Sequence, residues 1–213
     1  MDDIDRHTAA HVPTNNGVKM HKKIAGLGCA VVLMITIVTV SGCGGNKATG
    51  ASASVPFDRA FIDAMVPHHL SAIAMAKAAR RAGLQRPVLK GIAANILVTQ
   101  QAEIDEMKQW RKQWYGSADV DPKGAEGLGM SMDEMGMSHS AGDISNAEDV
   151  DAAFASMMID HHEGAVAMAQ LALTKATHPQ IKQLAQQIIA AQQDEIRMMK
   201  PYAANDSMGN MHM

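Results

Sequence analysis

The sequence predicts an all-α fold: a four-helix bundle made of two repeated helical hairpins, with a disordered, Met-rich loop between them. Three observations lead there. The segment Phe61 to Ala76, FIDAMVPHHLSAIAMA, returns 93 residues later as FASMMIDHHEGAVAMA, Phe154 to Ala169. Apolar residues in both copies recur at helical spacing: Phe61, Met65, His68, Ala72 and Met75 share one face, as do Phe154, Met158, His161, Ala165 and Met168. Aromatic residues make up only 3% of the chain, which disfavours a large β-sandwich and suits close helix packing through small side chains.

The first 43 residues read as an N-terminal extension and a lipoprotein signal peptide rather than as part of the fold. Lys22 and Lys23 form a basic start, and Ile24 to Val38 is an apolar run shorter than the roughly 20 residues a spanning helix needs. Val40-Ser41-Gly42-Cys43 fits a lipobox, so cleavage before Cys43 and lipid on its sulfur are expected. The leader ahead of Met20 is polar and unpatterned, and Met20 is the expected start. With Cys29 inside the signal and Cys43 lipidated, the mature chain has neither thiol nor disulfide. Soft-metal chemistry there falls to Met and His. The protein is expected on the outer side of the cytoplasmic membrane, held by lipid on Cys43.

Residues 44–55 are a Gly/Ser/Ala tether. The bundle domain is expected over 56–204. Its first repeat, 56–115, begins with a helix from about Pro56 to Arg81, kinked or broken near Val66 by Pro67. Ala82-Gly83-Leu84 makes a turn, and Pro87 opens a second helix that runs to Tyr115. Residues 116–146 lose all helical period and read as a flexible loop rich in Gly, Asp, Ser and Met. The second repeat, 147–203, carries helices from about Ala147 to Lys175 and Pro179 to Ala203. A Met/His tail, 205–213, ends the chain. One hairpin buries little alone, whereas two can enclose a common core.

Each hairpin places polar groups on its apolar face. A helical wheel sets His68 and His161 on the buried stripes, with His69 and His162 on the flanks. In the second helix of each hairpin, Glu103 and Glu195 fall near the stripe centre, flanked by Gln100 and Gln192. Buried carboxylates and imidazoles need partners. His68, Glu103, His161 and Glu195 are therefore expected to converge at the bundle centre, with His69 and His162 as further ligands. Met65, Met75, Met107, Met158, Met168 and Met199 would ring them. A hydrogen-bonded His–Glu pair in each hairpin, with no metal, is the bland alternative.

The loop adds Met130, Met132, Met135, Met137 and His139 in a polar, Gly-containing run with no apolar period to bury them. Thioether sulfur prefers Cu(I), and by extension Ag(I), to hard cations. Met208, Met211, His212 and Met213 repeat the pattern in the tail.

Both halves show MxxHHxxAxxMA followed by QQxEIxxM, which resembles the bacterial family catalogued as domain of unknown function 305 over about residues 57–203. That resemblance implies a secreted or membrane-attached bundle of ferritin-like architecture, some of whose members are linked to copper binding and tolerance. It carries over to His68, His69, Met75, Gln100, Glu103 and Met107, and to His161, His162, Met168, Gln192, Glu195 and Met199. Only two core carboxylates are evident, unlike the four of di-metal carboxylate bundles.

The resulting expectation is an extracytoplasmic Cu(I)/Ag(I)-binding lipoprotein that sequesters or buffers copper. Copper would be its cofactor or cargo, and copper-handling proteins its partners. It is not expected to be an enzyme; a metal-dependent oxidase and a metal-free surface interaction module are the alternatives. With 19 Lys and Arg against 22 Asp and Glu, and no basic patch, no nucleic-acid partner is expected.

Overall fold

A computed structural model describes residues 55–203. The expected signal peptide with Cys43, the tether as far as Ser54, and the Met/His tail lie outside the described residues. Four long helices form the body: α1 (Phe57–Ala82), α2 (Pro87–Tyr115), α4 (Val150–Lys175) and α5 (Pro179–Met199). Between the hairpins lie a short 3-10 helix (Gly124–Leu128) and the one-turn helix α3 (Ala141–Ser145). The fold is all-helical, as the repeat predicts. No described helix is long and apolar enough to cross a membrane.

Within each repeat the two helices pack as a hairpin, and α1 also lies along α4. Phe61, Met65, Met75, Leu89, Ile96 and Met107 from the first hairpin merge with Phe154, Met158, Met168, Ile188 and Met199 from the second into one core. Pro67 does not break α1, which runs unbroken from Phe57 to Ala82. Packing against α2, α4 and the segment between the hairpins holds the helix through a residue that intrinsic propensity would reject.

Reciprocal caps lock the hairpins together. Asp58, at the start of α1, accepts hydrogen bonds from the amides of Thr177 (2.9 Å) and His178 (2.8 Å), just ahead of α5. Its repeat counterpart Asp151, at the start of α4, accepts from the amides of Gln85 (2.9 Å) and Arg86 (3.2 Å), just ahead of α2. Each carboxylate satisfies amides at the other hairpin's turn and sets negative charge at a helix N-terminus.

The segment 116–146 differs from the flexible loop expected. It folds back over α1 and across to α4, with Leu128, Met135 and Ile144 buried in the core. Its backbone meets the helices closely enough that glycine is required on both sides. A Cβ on Gly136 (φ +67°) would lie 2.2 Å from the Asp160 carbonyl oxygen, and one on Gly164 of α4 would lie 2.0 Å from that of Met135. The Gly content read as flexibility serves close approach instead. Arg111 anchors the segment's start: it pairs with Asp63 of α1 and donates to the Ser117 carbonyl at 2.9 Å.

Candidate metal centre

Helix α1 delivers His68 and His69 to the interior, and α4 delivers His161 and His162. All four are essentially fully buried. His69 and His162 thus lie deeper than the flank a wheel assigns them. The stripe on α1 is wide because α2, α4 and the returning segment all cover it. On α2 the phase shifts the opposite way. Gln100, Ile104, Met107 and Arg111 are buried, Thr99 is exposed, and Glu103 sits at the margin with its side chain 20% exposed. Glu195 on α5 is buried, as is Gln192.

The rings of His68 and His161 meet at the interface of the two repeats, centroids 3.8 Å apart and planes tilted by 39°. The carboxylates do not join them. Glu103 binds Nε2 of His69 at 2.7 Å, and Glu195 binds Nε2 of His162 at 2.7 Å. Among the described residues, no three His, Cys, Asp or Glu side chains converge as a cage around one ion. The single four-residue cluster expected from symmetry is therefore replaced by a central His68–His161 contact flanked by two His–Glu pairs. Side-chain reach explains it: the second histidine of each pair faces its own hairpin partner, while the first faces the other repeat.

The halves are not equivalent. Nε2 of His68 binds the Met135 carbonyl at 2.8 Å, a partner supplied by the segment between the repeats. His161 has no partner at either ring nitrogen. Nδ1 of His68, His69 and His162 is likewise buried and unpartnered, as are Oε1 of Gln100 and Gln192. Glu195 also accepts from Asn95 at 2.8 Å, an added bond that ties α5 to α2. Buried polar atoms left unpaired are uncommon and call for a reason. Here five are imidazole nitrogens at the centre of one core, and that donor chemistry fits a soft or borderline metal ion.

Burial holds the His68 imidazole down to about 3, with the neighbouring His69 charge adding to it, and pushes His161 well below its ordinary value of 6.5 for the same reason. Both stay neutral in the folded protein, the form a metal requires. The unfolded chain takes up protons at both residues below about pH 6.5, whereas the folded one leaves His68 unprotonated until near pH 3 and holds His161 neutral well below 6.5. These two residues therefore leave stability unchanged above pH 6.5 and remove about 1 kcal/mol each per pH unit on acidification below it. Urea unfolding of the metal-free protein should show a lower midpoint at pH 5 than at pH 7; equal midpoints would contradict neutral burial.

The methionines divide into two groups. Met65, Met75, Met107, Met158, Met168 and Met199 are all fully buried. In the segment between the repeats, Met135 is buried, Met130 and Met137 pack partly against the core, and Met132 is 54% exposed. His139 binds Asp160 at 3.2 Å, at an open depression of about 320 Å³ also lined by Asp133, Glu134, Ser138 and Glu163. Sequence reasoning missed this acidic rim, although Asp160-His161-His162-Glu163 sets two carboxylates directly beside the second His pair. It also missed the Met135 carbonyl, a backbone atom that no motif can name.

A family model described as "Domain of unknown function (DUF305)" matches residues 58–203. Among solved structures, the chain is similar to CopM in the Cu(I)-bound form, with 34% identity over 68% of this chain and 94% of that one, at a TM-score of 0.55. CopM has also been solved in Ag-bound and Cu(II)-bound forms. A putative secreted DUF305 protein from Streptomyces coelicolor is 25% identical over 68% of this chain and 90% of its own, with a TM-score of 0.61. A DUF305 fragment from Deinococcus radiodurans is 28% identical over 70% and 95%, with a TM-score of 0.53. No curated protein matches the chain.

Proposed function

We propose, for a chain that belongs to the DUF305 family, that its task is to bind copper outside the cytoplasmic membrane and so limit the free ion there. One observation carries this reading: five imidazole nitrogens lie buried and unpartnered in one core, three of them on His68 and His161, whose rings meet at the junction of the two repeats. The CopM structures with Cu(I), Ag and Cu(II) support it from a protein that is 34% identical over 68% of this chain. Cu(I) is the expected form, since neutral imidazole and thioether are the donors at hand and thiolate is missing from the mature chain. His68 and His161 would hold the ion, with the other two histidines and neighbouring thioethers completing its surroundings. Met132, Met130 and Met137, with His139 beside the acidic depression, would capture it on the way. Lipid on Cys43 would keep the protein at the membrane, where copper-handling partners could receive the ion. The protein would act as a stoichiometric binder rather than a turnover catalyst.

Cu(I) competition titration tests this on wild type, on His68→Ala/His161→Ala, and on Met130→Leu/Met132→Leu/Met137→Leu. Tight binding is expected in wild type, lost in the histidine variant and kept in the methionine variant. Unchanged affinity and stoichiometry without the two histidines would defeat the core site.

A further inference from the structure

We propose that Glu103, Glu195 and the main-chain carbonyl of Met135 are positioning groups for the metal: each takes the Nε2–H of one imidazole, so that His69, His162 and His68 offer Nδ1 as the donor atom. This rests on the copper reading above and names the atoms that serve it.

The geometry occurs three times with two kinds of partner, a carboxylate in each repeat and a main-chain carbonyl from the segment between them. An oxygen that accepts lies 2.7 Å from Nε2 of His69, 2.7 Å from Nε2 of His162 and 2.8 Å from Nε2 of His68. A peptide carbonyl can only accept, which fixes the proton of His68 on Nε2. Glu195 uses its other oxygen to accept from Asn95, so both its oxygens act as acceptors. With the proton on Nε2, a neutral ring carries its lone pair on Nδ1. In all three rings Nδ1 is the atom that is buried and unpartnered. Placing the proton on Nδ1 instead would strand a donor in the core and set two acceptors face to face at Nε2.

The carboxylates therefore hold ligands rather than ligate. A metal-bound imidazole whose far nitrogen donates to a carboxylate is fixed in orientation and made a stronger base. His161, partnered at neither nitrogen, is the ring left free to adjust its tautomer to the ion. The acceptor over His68 comes from the segment between the repeats, so the donor atom of His68 depends on that segment, whereas those of His69 and His162 do not.

Long-range ¹H–¹⁵N correlation spectra of the whole protein with labelled histidine test this, first without metal and then with Ag(I) as a diamagnetic probe. The proposal expects Nε2–H tautomers at His68, His69 and His162, and Ag(I)-induced shifts at Nδ1 of these rings. Protons on Nδ1, shifts at Nε2, or Ag(I) bound with none of the three rings moving would overturn it. Variants give a second readout. Glu103→Ala and Glu195→Ala should each weaken Ag(I) binding about 10- to 100-fold, while Glu103→Gln and Glu195→Gln, whose amide oxygen still accepts, should stay within several-fold of wild type. Alanine variants that bind like wild type would remove the positioning role. Glutamine variants as weak as alanine would make the carboxylates direct ligands. Failure of the wild type itself to bind Ag(I) or Cu(I) would defeat the copper reading and this inference with it, an outcome separate from all the others.

Discussion

Gly164→Ala is expected to destabilise the protein by about 3 kcal/mol and to lift the segment between the repeats off the bundle. The added Cβ would lie 2.0 Å from the Met135 carbonyl oxygen and 2.7 Å from the Gly136 amide nitrogen. Neither is a flexible side-chain tip, so backbone has to move. Helix α4 is held on several sides by the core, whereas the segment is held on one, and the segment should yield. Met135 would leave the core, and Nε2 of His68 would lose its acceptor. Thermal unfolding should fall by roughly 10 °C, and limited proteolysis should cut within 129–140. A melting temperature within about 2 °C of wild type and an unchanged digestion pattern would refute the close approach.

Arg111→Leu should be at least as damaging, at about 3 to 5 kcal/mol. Asp63 and Arg111 are both nearly excluded from water, and the guanidinium holds Asp63 at two points while binding the Ser117 carbonyl. Removing the cation leaves the buried Asp63 carboxylate with only the longer, half-exposed contact from Arg59 at 3.4 Å, and it frees the start of the segment that carries Met135. Asp63→Leu/Arg111→Leu should recover most of the loss, because a well-packed apolar pair replaces the ions without leaving a lone charge. Chemical denaturation of the three variants checks it. A double variant no better than Arg111→Leu would show that the arginine acts through the Ser117 contact and not through the charge pair.

The fold was legible because it is written twice. Phe61 and Phe154, His68 and His161, and Pro87 and Pro179 mark the same points of two hairpins, and the structure puts them on equivalent helices. The buried polar residues of the core were legible by type, and their contacts only in part. A wheel treats each helix as facing one direction, but α1 faces three neighbours, so His69 is buried where a flank was expected. The same limit put Glu103 at the stripe's centre when Gln100 occupies it. The loop was misread for another reason. Gly136 looks like flexibility in one dimension, and only the distance between its backbone and that of α4 gives it its meaning. The pairing of Asp63 with Arg111 left no repeat signature, since Ser156 and Ala203 stand at the corresponding places.

The crossed caps bear on how the chain folds. Asp58 reaches amides 119 and 120 positions away in sequence, and Asp151 reaches others 65 and 66 away. Neither bond forms while a hairpin stands alone, so the turn of each hairpin is completed only when the other has docked. Closing so long a stretch of chain is entropically costly and comes late. An isolated hairpin is then a high-energy species in both directions of the reaction, and the bundle should fold and unfold as one cooperative unit, with no half-formed state in which a single His-His helix is laid open to solvent and to proteases.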